Sequence, residues 1–459
     1  MNNNKKSNTF NDLTGGIGYY YLEFKNNISL AGIGVSLFTI FVLMHRWFDA
    51  NESITRFHEF GLVSLALILL IIGVADKQFF RNKISTIDIL WAPAIAIISG
   101  YIIFTKMEYF TLFYYTAGFS FLILTKISIT ETRIAFLLIK VMAVLFALGS
   151  ITQFIYPEIF NEFALKIGTS YALEDIENIL RRNYHPGFAF TQPAQAAGYM
   201  VVGLGLILTF WENKKVQVIS DGILFMLLLS GLLLTGKRSI FIWAVFALPF
   251  TYVILSVGKE KFKRAGKAIA AVMVSAAIIM TALHLSDAQA FIPRLESLIS
   301  ELLAFEITGS VAVRFMLYQD AWATFLENPL FGIGWEQFQA NHPIGYSPHS
   351  VYLQLLAEMG ILGFTAVMVP LVYTYITTYK TIKSVFTRTE IIDPLWEKAL
   401  SFSFYYQTFF LLYSISENTL YHLFYILMYF FSVALVNAYI VLSNNGLINI
   451  SAYSGRQVP

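Results

Sequence analysis

The chain has no cysteine. That excludes a disulfide framework, a thiolate metal site and a cysteine nucleophile. Charge is also scarce: 13% of the 459 residues are Asp, Glu, Lys or Arg, against 57% hydrophobic, and mean hydropathy is +0.62. A soluble domain of this length needs far more charge on its surface. Familiar soluble-site motifs are missing too, with no Walker loop, no HExxH and no Asp-x-Asp pair for a metal-bound nucleotide sugar. The GIG of Gly332 to Gly334 is too short for a phosphate loop and reads as a turn. The first 27 residues lack the apolar core and cleavage pattern of a signal peptide, and read as a disordered, Asn-rich cytoplasmic tail.

What the chain has is apolar runs near the length of a membrane-crossing helix, about 20 residues. Twelve are expected, over 28–47, 60–75, 87–105, 109–125, 134–156, 190–210, 218–235, 239–257, 268–285, 349–379, 400–416 and 419–442. The fold class is therefore all-α: a polytopic membrane protein with one transmembrane domain over 28–442 and a second cytoplasmic tail over 443–459. The tenth run is long for a simple crossing and is expected to project past the bilayer at one end. With the N-terminus inside, inside segments hold 20 Lys and Arg and outside segments 10, and the KEKFKRAGK loop is the strongest inside signal. Both termini are then cytoplasmic. Lys140 lies within a span near its inner end, where it can snorkel.

Two outside loops are long, 157–189 and 286–348. The first carries a helix candidate, ALEDIENILRR, with Leu173, Ile176 and Leu180 on one side. The second precedes the tenth helix and carries two. PRLESLISELL repeats its apolar residues at helical spacing and suits a membrane surface. The next starts near Ser310, turns an apolar face of Val311, Phe315, Tyr318, Trp322 and Phe325, and stops before Pro329. Gly332, Gly334, Pro343, Gly345 and Pro348 then make an irregular connection.

Chemistry-bearing residues gather on the outer face. Arg238 opens an apolar helix at the end where the helix dipole opposes a cation. It is either a snorkelling arginine on lipid phosphate or one held to pair with a diphosphate. Arg314 stands near the start of a loop helix, as a surface ion pair with an acid such as Glu306 or as a second anion ligand. Arg181 and Arg182 read as a solvated helix end or as part of the same basic face. His349, at the mouth of the tenth span, is a helix-end anchor or a proton acceptor near neutral pH. Tyr352 follows one turn on, on the same face. Glu358, nine residues in and about 13 Å deeper, is a structural clamp or a functional group. Gly360 and Gly363 suit close helix packing.

RFMLYQDAWATFLENPLFGIGWEQF followed by PHSVYLQLLAEMGILGF resembles the signature region of the O-antigen ligase and polymerase superfamily. There an arginine-led helix precedes a Pro-x-x-Gly-x-Gly turn, a His-Asn/Ser-x-x-Leu segment and a Glu-x-Gly-x-x-Gly helix. The matching residues are Arg314; Pro329, Gly332 and Gly334; His349, Ser350 and Leu353; and Glu358, Gly360 and Gly363. TGKRSIFIWAVF is similar to the family's Ser-Arg-Gly segment, with Arg238 at its arginine and Lys237 and Ser239 departing from it. RRNYHPGFAFTQPAQAAGY resembles the stretch before the sixth span, and either Arg181 or Arg182 matches its arginine.

The resemblance implies a membrane glycosyltransferase of the C type, independent of metal and cofactor. It would act at the periplasmic face of the bacterial inner membrane in lipopolysaccharide or exopolysaccharide assembly. The implied donor is a glycan on undecaprenyl diphosphate. The acceptor is a second glycan, as in a polymerase of repeat units, or lipid A–core, as in a ligase, with a slight lean to polymerase. Membrane lipids and a chain-length regulator are the expected partners, with no nucleic acid. Arg238 and Arg314 would bind the diphosphate, and His349 would take the acceptor's proton. From another class, a polytopic transporter or lipid-glycan flippase also fits twelve spans. It should show charged or broken helices at the midplane and related halves, and no internal repeat is evident in the sequence.

Overall fold

The computed structural model describes residues 84–105, 115, 118, 129–166, 173–182, 184–190, 192–208, 215–255, 266, 309–387 and 393–446. The expected spans 28–47, 60–75 and 268–285, the PRLESLISELL helix, the N-terminal tail and residues 447–459 lie outside them. So does all of 109–125 except Tyr115 and Gly118.

The described residues are helical, without a strand. The longer helices are α1 (Thr86–Thr105), α2 (Ile129–Ile155), α5 (Pro193–Leu208), α6 (Lys215–Leu234), α7 (Arg238–Leu255), α8 (Gly309–Glu327), α10 (Val351–Thr387), α11 (Pro394–Tyr413) and α12 (Leu423–Asn444). Shorter ones are α3 (Pro157–Lys166), α4 (Leu173–Arg181) and α9 (Gln337–Asn341). Among the described residues, four stretches are long and apolar enough to cross a membrane: Thr86–Thr105, Thr132–Ile155, Val351–Phe386 and Leu423–Asn444. α4 and α8 form where the sequence places helices, and α8 stops short of Pro329 because a residue before proline disfavours helix.

α1 and α10 run antiparallel. Trp91 Nε1 donates to Thr374 Oγ1 (3.2 Å) at one level and Tyr101 OH to the Met359 carbonyl (3.1 Å) at the other. The end where α1 finishes and α10 begins is the upper end below. α12 is the hub, buried over most of its length, with Tyr429 and Phe430 against Trp91. With lipid outside a bundle there is little hydrophobic drive between helices, so polar bonds and close packing join them. Thr378 Oγ1 donates to Gln407 Oε1 (2.8 Å), Tyr375 OH meets Thr408 Oγ1 (3.1 Å), and Tyr425 OH donates to the Ala194 carbonyl (2.6 Å). At the lower end Asp88 closes a capping box with Ser85 and accepts from Asn437 Nδ2 (2.7 Å). Lys140 reaches Asp221 at 4.0 Å with its side chain half exposed.

α10 is not one helix. Gly360 has φ 62° and ψ −171°, so the chain breaks there into 351–359 and 361–387. Tyr352 OH donates to the Leu411 carbonyl (2.7 Å), while Tyr375 OH meets Thr408, less than a turn away on α11. On a straight helix Tyr352 and Tyr375 would stand about 34 Å apart along the axis. The part that crosses is 361–387, about 40 Å long and enough for a hydrocarbon core. Segment 351–359 instead lies across the upper end.

Candidate functional site

The break at Gly360 builds the platform under the site. Residues 329–334 cross it and take up the backbone groups that the lost helical turn would have paired. Ile361 N–H donates to the Pro329 carbonyl (2.9 Å), Ile333 N–H to Ala357 (3.0 Å) and Gly334 N–H to Glu358 (2.8 Å). The backbones approach closely enough to require glycine. A Cβ on Gly360 would stand 2.4 Å from the Leu330 backbone, and one on Gly332 2.3 Å from that of Glu358. Both residues have positive φ.

Glu358 is a clamp. Its carboxylate accepts from the Glu336 backbone N–H (2.9 Å), the Phe338 N–H (3.4 Å), Gln354 Nε2 (3.0 Å) and Tyr421 OH (2.7 Å). Because 351–359 turns across the bundle end, Glu358 lies level with the 3-10 turn Thr419–Tyr421, not the expected 13 Å deeper. Trp335 is fully buried beside it, stacked on Tyr421 with ring centroids 4.2 Å apart. Tyr115 OH holds the same turn through the Leu420 carbonyl (2.7 Å).

On this platform His349 meets a carboxylate. Its Nδ1 is 3.1 Å from Glu417 Oε1, in the connection between α11 and α12. Burial raises the pKa of Glu417, but the hydrogen bond with His349 and the charges of His422, His349 and Lys237 outweigh it and hold it at about 2. Glu417 is therefore ionised near neutral pH and accepts only, so His349 Nδ1–H donates. In the neutral ring that leaves Nε2 with a lone pair. His349 has φ 51°, uncommon for a residue with a side chain and a conformation costing about 1–3 kcal/mol. The Val351 N–H to Ser414 carbonyl bond (3.0 Å) and the Asn418 Nδ2 to Ser347 Oγ bond pin both sides of it. His349 thus precedes the helix, so the expected face shared with Tyr352 does not form; Tyr352 bonds α11 instead.

The cations come from α7 and α8. Lys237, just before α7, is within electrostatic reach of Glu417 and lies 5.5 Å from the Tyr184 ring centroid. Arg238 is the first residue of α7 and half buried, and one face along, Trp243 Nε1 donates to Ser416 Oγ (2.9 Å) beside Glu417. From α8, Tyr318 OH lies 3.4 Å from the carbonyls of both His349 and Ile415. Burial pushes that phenol's pKa up, Arg314 lowers it and Glu417 raises it, so both charges act on one hydroxyl. Electrostatics thereby links Arg314, His349, Glu417 and Lys237, and Arg238 follows Lys237 in the chain. Arg181 and Arg182 are exposed, and Arg181 pairs with Glu177 on its own helix (3.3 Å). Glu306 lies outside the described residues.

Glu417 is the residue that sequence reasoning missed. Its signal was available: SISENTLYH is a polar turn between two aromatic-rich spans, on the side assigned to His349. The face expected for α8 is also corrected. Leu317 and Ala321 are buried, against Phe338 and Ala357, while Phe315 and Trp322 point outward.

No curated protein matches the chain. Residues 223–368 match the family described as O-Antigen ligase, a segment that contains Arg238, Arg314, His349 and Glu358 but ends before Glu417, and this match supports the O-antigen ligase and polymerase superfamily for the chain.

Proposed function

We propose that the chain transfers a glycan from an undecaprenyl-diphosphate carrier to a hydroxyl acceptor at the periplasmic face of the inner membrane. Polymerisation of repeat units is the leading form. The observation that carries this reading is the His349–Glu417 pair, with the charge of Lys237 acting on Glu417 and that of Arg314 on the neighbouring Tyr318 hydroxyl. Glu417 fixes the tautomer of His349, as an acid behind a histidine does in other general-base sites. Nε2 of His349 takes the proton of the acceptor hydroxyl as its oxygen attacks the anomeric carbon. The bond from that carbon to the phosphate oxygen breaks, and undecaprenyl diphosphate leaves with the electron pair. Arg238 and Arg314 hold the diphosphate and offset the charge that grows on it. Lys237 adds a third positive charge there. Tyr352 and Glu358 shape the site from beneath, and Arg181 and Arg182 would add positive charge on the same side.

The test uses purified protein in lipid nanodiscs with a carrier-linked oligosaccharide, offered a second carrier-linked unit or lipid A–core. Longer carrier-linked chains identify a polymerase and glycosylated core identifies a ligase. His349→Ala that inserts normally should lose transfer to either acceptor. Full transfer by that variant would overturn the base assignment, and no product from the unaltered chain with either acceptor would overturn the function.

A further inference from the structure

α8 carries a second apolar face that none of the described helices covers. Phe315, Trp322 and Leu326 are 50%, 48% and 60% exposed, at the spacing of one helical face. The turn that follows exposes Leu330 and Phe331 too, at 57% and 64%. This surface does not stand above the bundle. Tyr101 OH donates to the Phe331 carbonyl (2.8 Å), and a Cβ at Gly334 would touch the Thr105 methyl at 2.5 Å. Tyr101 and Thr105 belong to the last turns of a helix long and apolar enough to span the membrane. Ile103 and Phe104 of that helix are exposed, as are Ile361 and Leu362, whose N–H groups bond to Pro329 and Leu330. Three segments thus form one apolar surface continuous with that of the spans.

The backbone of the turn is largely paired within the protein. Pro329 has no N–H. The carbonyls of Pro329, Leu330 and Phe331 accept from Ile361, Leu362 and Tyr101, and the N–H groups of Gly332, Ile333 and Gly334 donate to Asn328, Ala357 and Glu358. Most of the turn's polar backbone is thus paired within the protein, the Leu330 and Phe331 N–H groups not being among the donors, and such pairing suits irregular backbone at membrane depth. We infer that the turn 329–331 and the outward face of α8 rest in the lipid of the upper leaflet, so that the loop carrying Arg314 is membrane-embedded. This goes beyond the proposed function and holds whether or not the chain transfers glycan.

The absence of cysteine supplies the test. A single cysteine is introduced as Trp322→Cys, Leu326→Cys or Phe331→Cys, labelled with a nitroxide and reconstituted in phosphatidylethanolamine–phosphatidylglycerol nanodiscs. Ile97→Cys, on the exposed face of α1, is the lipid reference, and Gln339→Cys, exposed on α9, the aqueous one. Collisions with molecular oxygen should dominate over those with a water-soluble nickel chelate at all three sites, as at Ile97, with the reverse at Gln339. Nickel-dominated access at the three sites would overturn the inference in favour of water. Access to neither reagent would overturn it in favour of a protein cover. As an independent readout, Trp322→Phe should remove part of the tryptophan emission quenched by brominated acyl chains; unchanged quenching counts against the inference.

Discussion

Glu417 takes two donors on one oxygen, His349 Nδ1–H and the Asn418 backbone N–H (3.2 Å), and this double use defines what its loss does. Glu417→Gln keeps the shape and removes the charge that orders the imidazole, so transfer should fall about 100-fold while the fold persists. Turnover with a saturating carrier-linked donor reads this, and an unchanged rate would remove Glu417 from the mechanism. The same carboxylate has an acid signature. Its folded pKa is lowered, so its contribution to stability is present above the ordinary carboxylate range and is lost as pH falls toward about 2. Thermal unfolding in detergent should therefore drop more steeply from pH 5 to 3 in the unaltered chain than in Glu417→Gln; identical slopes would contradict the ion pair. Sequence reasoning singled out His349 because its neighbours form a compact motif. It missed Glu417 because the partner is 68 residues away, and proximity across that interval is a property of the folded helices.

A helix interrupted by one glycine decides the geometry of the whole upper end. In the apolar run EMGILGF, Gly360 looks like a small residue for close packing, since hydrophobic periodicity registers composition and not a broken backbone. The break is what brings Glu358 to the level of Tyr421 and lets the Pro329–Gly334 turn dock. Gly360→Ala combines a backbone region nearly exclusive to glycine with a Cβ driven into Leu330, and should cost about 3 kcal/mol or more. A lowered melting temperature together with lost transfer would match this; a stable, active variant would show that the break is dispensable. Glu358→Leu orphans the Glu336 and Phe338 N–H groups and the Tyr421 hydroxyl at once. Each unmade bond costs about 1–3 kcal/mol, so Glu358→Gln should be milder than Glu358→Leu in the same melt. His342 adds a second pin, with Nε2 3.1 Å from Asp320 Oδ2 and Nδ1 accepting from Ile344 N–H (3.4 Å), which ties the loop back to α8.

Over the whole molecule, the boundaries of α1, α5, α6, α7 and α12 lie within a few residues of the apolar runs, because span length is a demand of the bilayer that composition carries openly. What joins the spans was not legible: pairs such as Asp88 with Asn437 link residues 349 positions apart. Asn437→Leu should destabilise by about 1–3 kcal/mol, and less when Asp88→Leu is already present. A double-mutant cycle by thermal melting checks this, and strictly additive losses would deny the coupling. The chain order of the site has a consequence for how the protein is made. Arg238, Arg314 and His349 are synthesised before the α11–α12 hairpin that supplies Glu417. On the proposed mechanism, a ribosome that has just placed α10 in the membrane has made a site that lacks the carboxylate orienting His349. Competence would then arrive with the last hairpin, and unfinished chains would be silent.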